Sequence, residues 1–93
     1  MTLILKDPDA VVDYAVDWGA DYLNGDALAS SAWQVAPDEP DGVAVADHYF
    51  DASVATVKAS GGIAGRVYRL SNVVEMESGR KDARSFVLRV EAR

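Results

Sequence analysis

Hydrophobic and polar residues alternate along most of this chain in short runs. Residues 66–77 (RVYRLSNVVEME) place Tyr68, Leu70, Asn72, Val74 and Met76 on one face. That period of two is the mark of a half-buried strand. Residues 83–90 (ARSFVLRV) place Arg84, Phe86, Leu88 and Val90 against Ala83, Ser85, Val87 and Arg89. The linker Ser78-Gly79-Arg80-Lys81-Asp82 suits a hairpin with its glycine at positive φ, so the two runs predict a C-terminal antiparallel hairpin. Residues 10–18 (AVVDYAVDW) alternate Val12, Tyr14, Val16 and Trp18 with Val11, Asp13, Ala15 and Asp17. The same stretch fits a helix capped by Asp7, with Pro8 in its first turn. The strand is favoured, because three valines weaken a helix and the rest of the chain offers β partners.

Residues 26–35 (DALASSAWQV) read as another strand. Ala27, Ala29, Ser31, Trp33 and Val35 share one face and Leu28 takes the other. That conflict predicts a bulge or a strand covered on both sides. Residues 43–50 put Val43, Val45, Asp47 and Tyr49 in one register, and residues 53–59 set Ala55, Val57 and Ala59 against Val54, Thr56 and Lys58. Turn signals separate these runs at short spacing. They include Asn24-Gly25-Asp26, the stretch from Pro37 to Gly42, Gly61-Gly62 and Ser78-Gly79. Short strands with turn signals about every ten residues predict an all-β sandwich. The string Gly65-Arg66-Val67-Tyr68-Arg69-Leu70 has the form of a tyrosine corner, where a buried Tyr points its hydroxyl back at backbone in immunoglobulin-like domains. The expected class is an immunoglobulin-like antiparallel β-sandwich with Greek-key connections, one domain over residues 1–93. Residues 1–6 would be an edge strand or an arm. Tyr14, Trp18, Trp33, Tyr68, Leu70, Phe86 and Leu88 are its core candidates, with Trp33 as the cross-sheet partner of the corner.

Charge changes this picture more than composition does. The net charge of −6 hides a split: residues 1–57 hold eleven acids and one base, and residues 58–93 hold eight bases and four acids. An acidic surface on one copy could meet a basic surface on the next, and a head-to-tail contact of that kind closes into rings. The overall acidity argues against nucleic acid as a partner, which needs clustered bases. No run approaches the length of a membrane span. The apolar start, residues 1–5, is too short for a secretory core and is followed at once by Lys6, Asp7 and Asp9, which predicts synthesis in a cytoplasm.

Candidate chemistry is sparse. With no cysteine and a single histidine, His48, thiolate chemistry is excluded and a triad or a His-rich metal site would rest on one residue. Acids pair at Asp13 with Asp17, Asp38 with Asp41 and Asp47 with Asp51, but acid–base work needs a cleft that a small sandwich lacks. The loop Asp38-Glu39-Pro40-Asp41-Gly42 lacks calcium-loop spacing. Gly61-Gly62-Ile63-Ala64-Gly65 lacks the Lys-Ser or Lys-Thr of a phosphate loop. The expectation is therefore no catalytic residue, no metal and no cofactor.

Four strings in order, KDPDAVVDYAVDW (residues 6–18), GDALASSAW (25–33), VKASGGIAGRVYRLSN (57–72) and SGRKDARSFVLRV (78–90), resemble short tailed-phage virion proteins of the phage fiber-tail adaptor family. The resemblance covers nearly the whole chain. Its most specific pieces are Asp13, Tyr14, Asp17 and Trp18, and the stretch from Ser60 to Asn72. The chain departs from the family in its middle, where residues 36–42 (APDEPDG) form a longer and more acidic loop. The resemblance implies a non-catalytic structural protein of the virion tail, made in the host cytoplasm, that joins fibers to the tail. Implied partners are other tail proteins (tail tube, adaptor or nozzle, fiber) and copies of itself in a ring, with no membrane. Candidate interface residues are Leu3, Ile4 and Leu5, which could pair by β-augmentation, the acidic Asp38, Glu39 and Asp41, and the basic Arg80, Lys81 and Arg84. Two alternatives stay open. One is a carbohydrate- or surface-binding module, which needs Tyr22, Trp33, Tyr49 or Phe50 exposed as a strip. The other is a head-tail or tail completion protein on the same fold.

Overall fold

A computed structural model of the chain describes residues 2–19 and 23–92. Its strands are β1 (Thr2–Lys6), β2 (Val12–Asp17), β3 (Leu28–Ala36), β4 (Val43–Phe50), β5 (Val54–Gly61), β6 (Val67–Met76) and β7 (Lys81–Val90). They form a four-stranded sheet in the order β1-β7-β6-β3 and a three-stranded sheet in the order β2-β5-β4. The chain crosses between sheets after β1, β2, β3 and β5, which weaves the Greek key of an immunoglobulin-like sandwich. All strand pairs are antiparallel except β1 with β7, which run parallel from Thr2↔Phe86 to Lys6↔Val90. The N-terminal stretch is thus an edge strand, docked on the last strand of its own chain.

The alternation seen in the sequence builds the core directly. Along β6 every second residue from Tyr68 to Met76 is buried, and β7 follows with Phe86, Leu88 and Val90. Facing them, β5 contributes Ala55, Val57 and Ala59, and β2 contributes Val16. Each large aliphatic side chain buried this way stabilises the fold by roughly 1.5–3 kcal/mol. Two polar side chains are buried among them. Asn72 accepts from the indole N–H of Trp18 through Oδ1 (3.0 Å) and donates to Ser31 Oγ (2.9 Å) and the Ala32 carbonyl (3.2 Å). It therefore ties the residue that follows β2 to β3 through the centre of β6. Lys6 is almost wholly buried and donates from Nζ to the carbonyls of Gly61 (2.7 Å) and Asp7 (2.9 Å). Burial lowers its pKa, while the charges of Asp7 and Asp9 raise it.

Two strands depart from regular pairing. The register of β3 on β6 shifts between Leu28 and Ser30. That bulge lets Leu28 point into the core and still leaves Ser31, Trp33 and Val35 on the inner side. The register of β4 on β5 shifts between Ala46 and Tyr49, where Asp47 sits at a φ of 52°. One register for Val43, Val45, Asp47 and Tyr49 therefore fails: beyond the bulge Tyr49 pairs with Thr56, and all of residues 46–50 are exposed.

Candidate interface

The sandwich has two loop ends. At one, the β3–β4 loop meets the β5–β6 loop through Tyr68. Its hydroxyl accepts from the backbone N–H of Ile63 (3.1 Å) and donates to Glu39 Oε1 (2.7 Å). Arg66 Nη1 donates to Glu39 Oε2 (3.3 Å). Burial raises the pKa of Tyr68, and Glu39 raises it further. The corner is thus a tyrosine corner with an added carboxylate, and that carboxylate comes from the acidic loop. The same junction needs Gly62, at a φ of 112°, because a Cβ there would lie 2.7 Å from Val90 Cγ2.

At the other end, Asp26 gathers the β2–β3 and β6–β7 loops. Its carboxylate accepts from the Ser78 hydroxyl, from the backbone N–H groups of Ser78 (3.3 Å) and Ala27 (2.9 Å), and from Arg80 Nε and Nη2 (3.3 Å each). These bonds favour the ionised form, with the Ser78 side chain first among them, and hold its pKa below the usual aspartate value. Gly79 turns the hairpin at a φ of 94°.

The nine candidate interface residues divide between these ends and the β1 edge. Leu3 and Leu5 are exposed (60% and 46%), whereas Ile4 is half-buried and packs against the core. Asp38 and Asp41 are exposed on the acidic loop, and Glu39 is taken up by Tyr68 and Arg66. Arg80 braces Asp26 and the Leu23 carbonyl (3.2 Å). Arg84 lies over the Trp18 ring at 4.5 Å and donates to the Asp17 carbonyl (3.1 Å). Lys81 is exposed opposite Glu75. The basic hairpin is therefore partly engaged by its own chain, through contacts that exist only once the sheets have closed on each other.

The core candidates Trp18, Tyr68, Leu70, Phe86 and Leu88 are buried, and Tyr14 is half-buried with its ring 5.4 Å from Phe86. Trp33 differs from expectation. It is half-buried and packs against the core, as expected, but it lies in the same sheet as Tyr68 and meets Phe86 of that sheet edge-on at 6.3 Å, so it is not the cross-sheet partner of Tyr68. The reason is position: β3 is an edge strand, and its seam lies toward β4, the edge of the other sheet. That seam is a groove of about 650 Å³ whose lining includes Trp33, Val35, Val43 and Val45 together with Asp38 and Asp41. The Trp33 indole N–H is shielded from solvent and meets no acceptor among the described residues. Nothing in the sequence pattern marks this groove, because it depends on which strands become edges.

Charge separates by sheet. The strands of the four-stranded sheet hold five bases (Lys6, Arg69, Lys81, Arg84, Arg89) and two acids (Glu75, Asp82). Those of the three-stranded sheet hold one base (Lys58) and three acids (Asp13, Asp17, Asp47). The split along the sequence thus becomes a polarity across the sandwich. Ion pairs partly neutralise it within the chain, at Lys58–Asp13 (3.7 Å), Arg66–Glu39 (3.3 Å) and Arg80–Asp26 (3.3 Å).

Among exposed aromatics, Tyr49 (66%) and Phe50 (38%) are successive residues on β4 and so point to opposite sides. They do not form a strip, and Tyr22 lies outside the described residues. His48 is exposed on the same strand, and among the described residues no group of three or more His, Cys, Asp and Glu stands together as a metal site.

Comparison with known proteins fits this architecture. The fold is similar to the PKD domain from KIAA 1837 protein, solved in solution, with a TM-score of 0.57 and 22% identity, over 99% of this chain and 80% of that one. No curated protein matches the chain. The family model of the podophage GP4 fiber-tail adaptor protein gp77 matches residues 6–89: an immunoglobulin-like sandwich with opposed sheet charges, this chain belongs to that fiber-tail adaptor family.

Proposed function

We propose that this chain is a single-domain, non-catalytic structural protein of a tailed-phage virion that joins fibers to the tail through protein contacts. The family match over residues 6–89 carries this reading. The reading also fits what the molecule offers, which is edges, faces and loops. In it, copies stand side by side in a ring in the tail, the basic outer face of one sheet meeting the acidic outer face of the next copy. Many modest contacts then add up through avidity. Partners are the tail proteins on one side and the fiber on the other.

Assembly in the absence of this chain tests the reading. Particles made without it should carry tails that lack fibers, and adding the purified chain should restore attachment. Fully fibered particles without the chain would overturn it. Reversing Lys81 and Arg69, both exposed and outside the Asp26 and Trp18 contacts, probes the charge pairing between copies without removing an internal brace.

A further inference from the structure

The sandwich leaves four strand edges, and they are not equivalent. A bare edge offers unpaired N–H and C=O groups to any extended chain, and proteins blunt such edges with charge, bulges or short length. β1 has five residues and ends in a buried lysine. β2 carries Asp13 and Asp17 on its exposed side. β4 keeps a regular register only from Val43 to Ala46 before its bulge at Asp47. β3 has a bulge only at its start, between Leu28 and Ser30, and none of these devices beyond it. Its nine residues, LASSAWQVA, contain no charge and no proline, and its register on β6 is continuous from Ser30 to Ala36. Seven residues in a strand span about 23 Å.

The ground beside this edge is prepared for a particular occupant. The groove between β3 and β4 is lined by apolar Trp33, Val35, Val43 and Val45 and, on its polar side, by Gln34, Glu39 and the exposed Asp38 and Asp41. Trp33 adds an indole N–H that is shielded from solvent and meets no acceptor among the described residues. A second copy of the chain is a poor occupant, because its basic strands, β6 and β7, are both paired on two sides. We propose that the free edge of β3, residues 30–36, receives an extended basic segment of a different protein as an added strand. Its backbone would pair with β3 and its Lys or Arg side chains would face Asp38 and Asp41. This deepens the adaptor reading by naming the chemistry of the partner segment, and it rests on that reading only for where the segment comes from.

The test is independent of particle assembly. A capped nine-residue peptide alternating Thr and Lys is titrated into the isotope-labelled full chain, with a Thr/Glu peptide as its counterpart. The expected result is slowed amide exchange at alternate residues of 30–36 and a shift of the Trp33 indole N–H signal. The Glu peptide should bind at least about tenfold more weakly. The doubly substituted Asp38→Asn, Asp41→Asn chain, with an otherwise unchanged spectrum, should weaken the Lys peptide several-fold. Four results would each overturn the proposal: protection mapping to β1, β2 or β4, changes confined to loops, equal binding of the two peptides, or no binding at millimolar peptide. Self-association of the free chain through the same residues would also overturn it, in favour of a second copy as occupant. Fiberless particles with no peptide binding would leave the adaptor reading standing and remove this inference alone.

Discussion

β3 and β4 border the same groove and are built in opposite ways. β3 is regular from Ser30 to Ala36 and uncharged. β4 breaks its ladder after Ala46, turns Asp47 into the left-handed region and exposes everything beyond. Both are edges of their sheets, so burial does not explain the contrast. A bulge with an acidic residue is a way to refuse a further strand, whereas the bulge of β3, between Leu28 and Ser30, holds no charge. The lesson is that the two edges are uneven: β4 stays regular only from Val43 to Ala46, whereas β3 stays regular from Ser30 to Ala36.

Three substitutions probe that contrast. The largest effect is expected at Trp33→Ala. Its ring packs on Phe86 and lines the groove, so its loss should cost about 2–4 kcal/mol in chemical denaturation. A cost under 1 kcal/mol would mean that β3 is anchored elsewhere. Next comes Tyr68→Phe, which strips the acceptor of the Ile63 N–H and the donor to Glu39, and so loosens the loop that joins β3 to β4. A loss of about 1–2 kcal/mol is expected, with the largest rise in amide exchange over residues 37–42. Unchanged exchange there would separate the corner from the loop. The smallest effect belongs to Asp47→Gly. Glycine adopts the positive φ without penalty, so stability should rise by up to about 1 kcal/mol. A loss on denaturation would show that the Asp47 side chain supports the bulge.

Much of this fold was readable from alternation alone. The β6–β7 hairpin, its Gly79 turn and the corner at Tyr68 follow from local spacing, since each is set by neighbours in sequence. The bulge at Leu28 was foreshadowed by one leucine on the wrong face. The bulge in β4 was not, because Val43, Val45 and Tyr49 keep a period of two through Asp47, and only pairing with β5 reveals the shift. The interface was less legible for a related reason. Arg80 and Arg84 read as a free basic cluster, yet closure of the sandwich hands them to Asp26 and to the Trp18 ring. Glu39 read as a candidate interface residue of the acidic loop, and folding makes it the partner of Tyr68. Such contacts join residues far apart in the chain, and spacing carries no trace of them. The charge split did survive folding, but as a difference between sheets.

The most direct test is a map of the assembled tail, resolved finely enough to trace strands around this chain. The account predicts a strand from a different protein hydrogen-bonded along residues 30–36, with Lys or Arg beside Asp38 and Asp41. A β3 edge bare to solvent, with the fiber and tail contacts made elsewhere, would contradict it.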